Sequence, residues 1–369
     1  RTLALSYVNM GSRVQYALQG FSQTQFFYGT LDNLLYDPSL APYISRSDAI
    51  ATRTITGGSA FAIYPISRYS RYEVSGGALY LNEQYTSPDL QALADQQQAQ
   101  TGQPIFSNGV LIPFSAAFVQ ETTIFREFGP LAGSTTRVSY EIAPKIGNTL
   151  SRQTVELDLR HYQRLGTTGL LATRLRAFRS GGANPGFLYF GGNSEMRGYD
   201  YLQFVGQNAV FANAELRFPI IEAALTPVGI IGGIRGVFFA NIGAGWFDNQ
   251  GFKFATSQSQ TVRQNLGVEF DASGQPALDL NGNQIPVYGP DQVISGFRLQ
   301  DGRGSYGFGL ETFALGFPIH FDWAWRTLFN QDWENFLFSD IDPYSHTSQN
   351  NGSANFRKPQ FGFWIGYDF

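Results

Sequence analysis

Cysteine is absent from all 369 residues. Its absence removes disulfides, thiol catalysis and Cys-ligated zinc together. Histidine is scarce: His161, His320 and His346 lie far apart, with no spacing that would gather a metal. Charged residues make up 15% of the chain, against about 25% in soluble domains. The net charge is only -4 and no Lys/Arg block occurs, so a nucleic-acid partner has no electrostatic footprint. No apolar run is long enough for a membrane helix. The nearest, "VGIIGGIRGVFFANIGAGW", carries Arg235, Asn241 and several glycines, which argues against one. These absences leave no metal site and no cofactor. With no nucleophile and base set together either, an enzyme is not expected.

What is abundant points elsewhere. The chain has 41 Gly and is 15% aromatic, yet its mean hydropathy is only -0.17. Such a balance suits a transmembrane β-barrel, in which half of each strand faces lipid and half a wet lumen. Alternating segments bear this out along the chain. They fall at 2–10, 13–29, 55–66, 68–85, 109–121, 134–145, 152–164, 168–180, 208–220, 233–247, 305–315, 317–326 and 361–369. In "FPIHFDWAWR", Phe317, Ile319, Phe321, Trp323 and Trp325 share one face, and His320, Asp322 and Arg326 the other. The end, "FGFWIGYDF", sets Phe361, Phe363, Ile365, Tyr367 and Phe369 on one face. Its other face is small or polar, save for Trp364.

Short connections at 11–12, 67 and 165–167 alternate with long ones at 30–54, 86–108, 181–207, 248–304 and 327–360. Tight turns at one end and long loops at the other are the habit of outer-membrane barrels. The loop 86–108 is expected to hold a helix capped by Ser87, with Pro88 in its first turn and Gly102 past its end. The expected fold is therefore all-β: an antiparallel transmembrane barrel over 1–369, with about thirteen strands in this chain. An odd number cannot close by antiparallel pairing alone. The chain also starts almost directly in a strand, so further strands are expected upstream.

The loop "GGANPGFLYFGGNSEMRGYDYLQFVG" (181–206) is rich in glycine and aromatics and reads as ordered and folded back. Inside it lies Met196-Arg197-Gly198-Tyr199. The next strand carries Asn213, Glu215 and Arg217 on one face, and the strand after carries Phe239, Asn241 and Gly243. With these residues the chain resembles the outer-membrane insertase superfamily, the bacterial surface antigen family of the BamA and TamA type. The resemblance implies that "MRGY" is the motif of an extracellular loop folded into the lumen. Arg197 would meet Glu215 and the Phe239 to Gly243 segment, with Gly198 and Tyr199 completing the lock. Asn241 stands where the family usually has Asp, so Glu215 is expected to be the main ionic partner. The resemblance also implies a barrel of about sixteen strands, an unseen periplasmic N-terminal module and a C-terminal assembly signal at Phe361, Phe363, Ile365, Tyr367 and Phe369.

Blander readings stand beside these. Arg197 could be an exposed or purely structural loop residue. The charges Glu156, Asp158, Arg160, Arg174 and Arg176 could line a solute path or simply satisfy one another across strands. His320 and Asp322 share a face with no nucleophile beside them and read as structural. Asp279, Asn281 and Asn283 alternate as in a calcium loop, but lack the later acidic ligand. The resemblance implies a protein of a Gram-negative outer membrane that inserts or exports other proteins through a labile seam. Gly362 and Gly366 in the closing strand are compatible with weak pairing there. Its partners would be outer-membrane lipids, unfolded barrel-protein clients and periplasmic accessory proteins. A passive porin, or a scaffold binding other outer-membrane proteins through its long loops, remains the alternative.

Overall fold

The computed structural model describes residues 2–28, 50–101, 106–126, 129–226, 229–249, 251–280, 282–314, 317–342 and 344–366. Thirteen strands follow one another in a single antiparallel path. They are β1 (Thr2–Asn9), β2 (Gln15–Tyr28), β3 (Ile50–Pro65), β4 (Ser70–Tyr85) and β5 (Phe114–Glu121). Then come β6 (Gly129–Ala143), β7 (Arg152–Leu165), β8 (Gly169–Gly181) and β9 (Asn208–Thr226). The path ends with β10 (Gly229–Trp246), β11 (Arg303–Ala314), β12 (Phe317–Thr327) and β13 (Gln360–Ile365). Each pairs with the next in chain order, whether a tight turn or a long loop joins them. Among the described residues, β1 and β13 each pair on one side only.

Several strands run longer than their sequence pattern. β9 continues to Thr226 past Pro219, because the ladder to β10 shifts register between Pro219 and Ile221. A bulge absorbs the proline and carries the strand on, at the cost of the alternation that marks it. β3 likewise starts at Ile50 rather than at 55. The helix expected after β4 is α1 (Pro88–Thr101), and Ser87 Oγ accepts from the Leu90 N–H at 3.5 Å. Gly102 lies outside the described residues.

The two faces of the sheet differ as period-two alternation requires. Outward rings meet across neighbouring strands: Phe308 and Trp323 at 5.2 Å, Trp323 and Phe361 at 5.4 Å, Phe321 and Phe363 at 5.4 Å. Such cross-strand aromatic pairs stabilise a sheet whose outside never meets a protein core. The inward face is polar and paired. Asp158 bonds both Arg160 (2.7 Å) and Arg174 (2.9 Å), which sit directly opposite one another on β7 and β8. Glu73 joins Arg71 and Arg137, and Glu156 takes Arg176. The lumenal charges therefore satisfy one another across strands.

The loops after β10 and β12 hold structure that alternation does not reveal. The first is a long ribbon, with 255–256, 260–262 and 265–268 paired to 298–299, 292–294 and 286–288. The second carries α2 (Gln331–Phe338) and α3 (Asn351–Arg357). Val262, Ile294, Leu299, Leu328, Trp333 and Phe356 form a core between the two loops. Asn330 caps α2 by accepting from the Trp333 N–H at 3.0 Å.

This core lies mainly within the loops and touches the sheet at Ile242 of β10 and Arg326 of β12. Trp333→Ala should remove about 3–5 kcal/mol of local stability and make 248–304 and 327–360 protease-sensitive. The heat-modifiable gel mobility of the folded barrel should stay unchanged, and its loss would show that the loops and the sheet fold as one unit.

Candidate functional site

The loop between β8 and β9 turns back on itself through a short ladder of Leu188–Phe190 with Phe204–Gly206. Phe190, Met196, Tyr199, Ala209 and Phe211 form a buried cluster that pins it to the inner wall of β9. Phe190 stacks on Phe211 at 5.0 Å and on Phe204 at 5.2 Å. This apolar anchor sets the position of the residue beside Met196, which is Arg197.

Arg197 is 2% exposed. A guanidinium this deep must be neutralised and hydrogen-bonded, because its water is gone. Its Nη1 lies 2.7 Å from Glu215 Oε1 and its Nε 3.2 Å from Asp322 Oδ2. Glu215 is itself fully buried and also bonds Arg217, Nη2 to Oε2 at 2.5 Å. The Phe239 ring lies under the Arg197 guanidinium at 4.6 Å, a cation–π contact that gains strength away from water.

Register explains why these side chains converge. On β9 and β10, Glu215 faces Phe239, Asn213 faces Asn241 and Phe211 faces Gly243. Asn213 Nδ2 donates to Asn241 Oδ1 at 2.8 Å, and Asn241 Nδ2 donates to Ser305 Oγ at 3.1 Å. Gly243 lies beneath the loop: a Cβ there would meet Met196 Sδ at 3.2 Å and Phe211 Cβ at 2.7 Å. Gly198 takes φ +88°, and a Cβ on it would stand 2.9 Å from the Ala324 Cβ. Only glycine both adopts that backbone and fits that approach. Tyr199 donates its hydroxyl to the Gly304 carbonyl at 3.0 Å, and burial pushes that hydroxyl above its ordinary value, so it stays a donor.

The structure thus brings Arg197, Gly198, Tyr199, Glu215, Phe239, Asn241 and Gly243 to one corner of the lumen. Glu215 is the nearer ionic partner of Arg197, and Asp322, which the sequence reading does not place in the lock, supplies a second carboxylate from β12. Gly309 faces Asp322 across β11 and β12, and a Cβ there would stand 2.2 Å from Asp322 Oδ1. The bare strand leaves room for the carboxylate to lie inward. A signal existed, since Asp322 is an acid on the lumenal face of its strand. Its pairing with Arg197 spans 125 residues, however, and no local spacing reports it. His320 stacks flat on Trp364 at 3.6 Å and places Nδ1 3.6 Å from Glu311 Oε1.

Other expected residues fall apart from this corner. Phe361, Phe363 and Ile365 point outward at 60%, 57% and 56% exposure, as an apolar edge facing lipid would. Tyr367 and Phe369 lie outside the described residues, as does Asn281. Asp279 accepts from the Asn283 N–H at 2.8 Å and closes a turn. Among the described residues, no three His, Asp or Glu side chains gather as metal ligands.

A long antiparallel sheet, apolar outside and ion-paired inside, with an arginine loop buried against its inner wall, defines a β-barrel protein of the outer-membrane type. The Omp85 superfamily domain matches residues 47–369, and the chain belongs to that superfamily. BamA from Haemophilus ducreyi lacking POTRA domains 1-3 shares the fold, with a TM-score of 0.54 and 14% identity. The match covers 88% of this chain and 58% of that one. CdiB from Acinetobacter baumannii is also similar, with a TM-score of 0.44, 12% identity and coverage of 99% of this chain and 49% of its own. The chain thus spans about half the length of each. No curated protein sequence matches it.

Removing Arg197 takes a shared cation from two buried carboxylates. Arg197→Ala should cost about 3–5 kcal/mol, seen as a lower temperature for the loss of folded-barrel mobility. Gly198→Ala should lower the same midpoint by a steric route. An unchanged midpoint in both variants would show that the corner adds nothing to stability.

Proposed function

We propose that this chain is the barrel of an outer-membrane assembly factor of a Gram-negative bacterium, which inserts or exports other proteins at a labile seam. The observation that carries the reading is the position of the lock. Arg197 contacts β9, β10 and β12, and its neighbour Trp364 lies on β13, whose far edge has no partner among the described residues. A free strand edge offers a row of backbone donors and acceptors to any extended segment. Its outward face is greasy, so a segment zipped onto it arrives already in lipid register. The reading needs no chemical step, cofactor or nucleic acid. Its partners are outer-membrane lipids, unfolded barrel-protein clients and periplasmic accessory proteins, with upstream strands and a periplasmic module completing the working protein.

The porin alternative gains little from the inner wall, where Glu73, Asp158 and Glu156 are each tied to arginines. The scaffold alternative has one observation in its favour: the outer loops fold around their own core and leave Phe297 and Phe329 about half exposed.

Single cysteines along Gln360–Ile365 test the reading in a chain that has no cysteine of its own. With the full-length protein in cells, crosslinkers should capture newly made barrel proteins at alternating positions. Folded protein with no client adducts would turn the assignment toward the scaffold. Steady ohmic conductance, retuned by Arg174→Glu, would turn it toward the channel.

A further inference from the structure

The inward face of the last strand is nearly bare: Gly362 and Gly366 flank one large side chain, Trp364. A tryptophan in that place is out of keeping with a small or polar face, and its surroundings account for it. Trp364 Nε1 donates to Asp322 Oδ2 at 2.7 Å. The same oxygen atom lies 3.2 Å from Arg197 Nε. The Arg197 guanidinium also sits 5.9 Å from the indole centroid, at the outer limit of a cation–π contact. On β12, His320 faces Trp364 and stacks parallel to it at 3.6 Å, while its Nε2 meets the Gly366 carbonyl at 2.8 Å.

From this geometry we infer that Trp364 is a positioning residue that couples the arginine loop to the last strand. One carboxylate oxygen serves both the loop and the strand. When β13 leaves β12, Asp322 loses the indole N–H and Arg197 loses the ring beside it, so the loop is held less firmly. When the loop leaves, Asp322 loses its cation and Trp364 its fixed acceptor, so the strand is held less firmly. The two movements thereby favour each other, as linked equilibria must. There is also room for the change. A cavity of about 240 Å³ lies between the loop and the last strand, lined by Asn193, Arg197, Asp200, Gly362 and Trp364 among others.

The role of this coupling in client insertion rests on the function proposed above, but the coupling itself can be read without any client. The reporter is Ser194→Cys, in the loop of the full-length protein in outer-membrane vesicles, labelled by a water-soluble maleimide. Trp364→Phe keeps a ring and removes the N–H. A hydrogen bond to a charged group is worth enough that labelling should speed up by about tenfold. Asp322→Asn, which keeps the shape and removes the charge, should act in the same direction and covers the case that the Trp364 variant fails to fold. In an Arg197→Ala background, Trp364→Phe should add little, since the path between them is already cut. Unchanged labelling in Trp364→Phe, or effects that simply multiply in the double variant, would overturn the coupling and leave Trp364 as strand packing. Client adducts persisting with no coupling would leave the proposed function standing. Coupling with no client adducts at the seam would sink the function and keep the latch.

Discussion

Burial of one arginine organises the inner side of this protein. At 2% exposure, Arg197 has given up its water, and a bare guanidinium in that position would unfold its surroundings before it stayed there. Everything near it answers that cost: Glu215 from β9, the Phe239 face from β10 and Asp322 from β12. The answer needs all three strands in register at once. A one-residue slip in any of them would turn the required side chain to the lipid side. The loop thereby reports on the sheet, since it can sit in the lumen only if the wall behind it is correctly assembled.

The outer face follows a looser rule. Lipid asks only for apolar surface, so Phe308, Trp323, Phe361 and Phe363 can pair in many ways and still serve. The inner face is particular, because each charge must find a stated partner at a stated height. Asp158 lies between Arg160 and Arg174, and Glu311 lies near Arg235 and His320. Alternation keeps the two demands from interfering, since successive residues answer to different solvents.

That separation also decides what could be read from residues alone. Period-two alternation survives wherever one face meets lipid, so all thirteen strands were legible, while several of their ends were not, as at Ile50 of β3 and past Pro219 in β9. The corner was partly legible, because Arg197, Glu215 and Phe239 come in order on a loop and the next two strands. Asp322 was not, since its role depends on a contact across the curved wall that strand order alone does not give. The outer loops were opaque for a related reason. Their core joins Val262 and Ile294 to Trp333 and Phe356, pairs too distant in the chain for any local period to announce.

Asp322 also places the lock differently from one confined to β9 and β10. A carboxylate on β10 would hold the loop to the middle of the wall, far from either edge of the sheet. A carboxylate on β12 draws the guanidinium toward the strand that ends the sheet, and within reach of Trp364. The described part of β13 pairs along one edge with β12, and its inward contacts to His320 and Asp322 add to that ladder. A lock anchored there does more than steady a loop, because it divides its strength between the loop and a strand at the end of the described sheet.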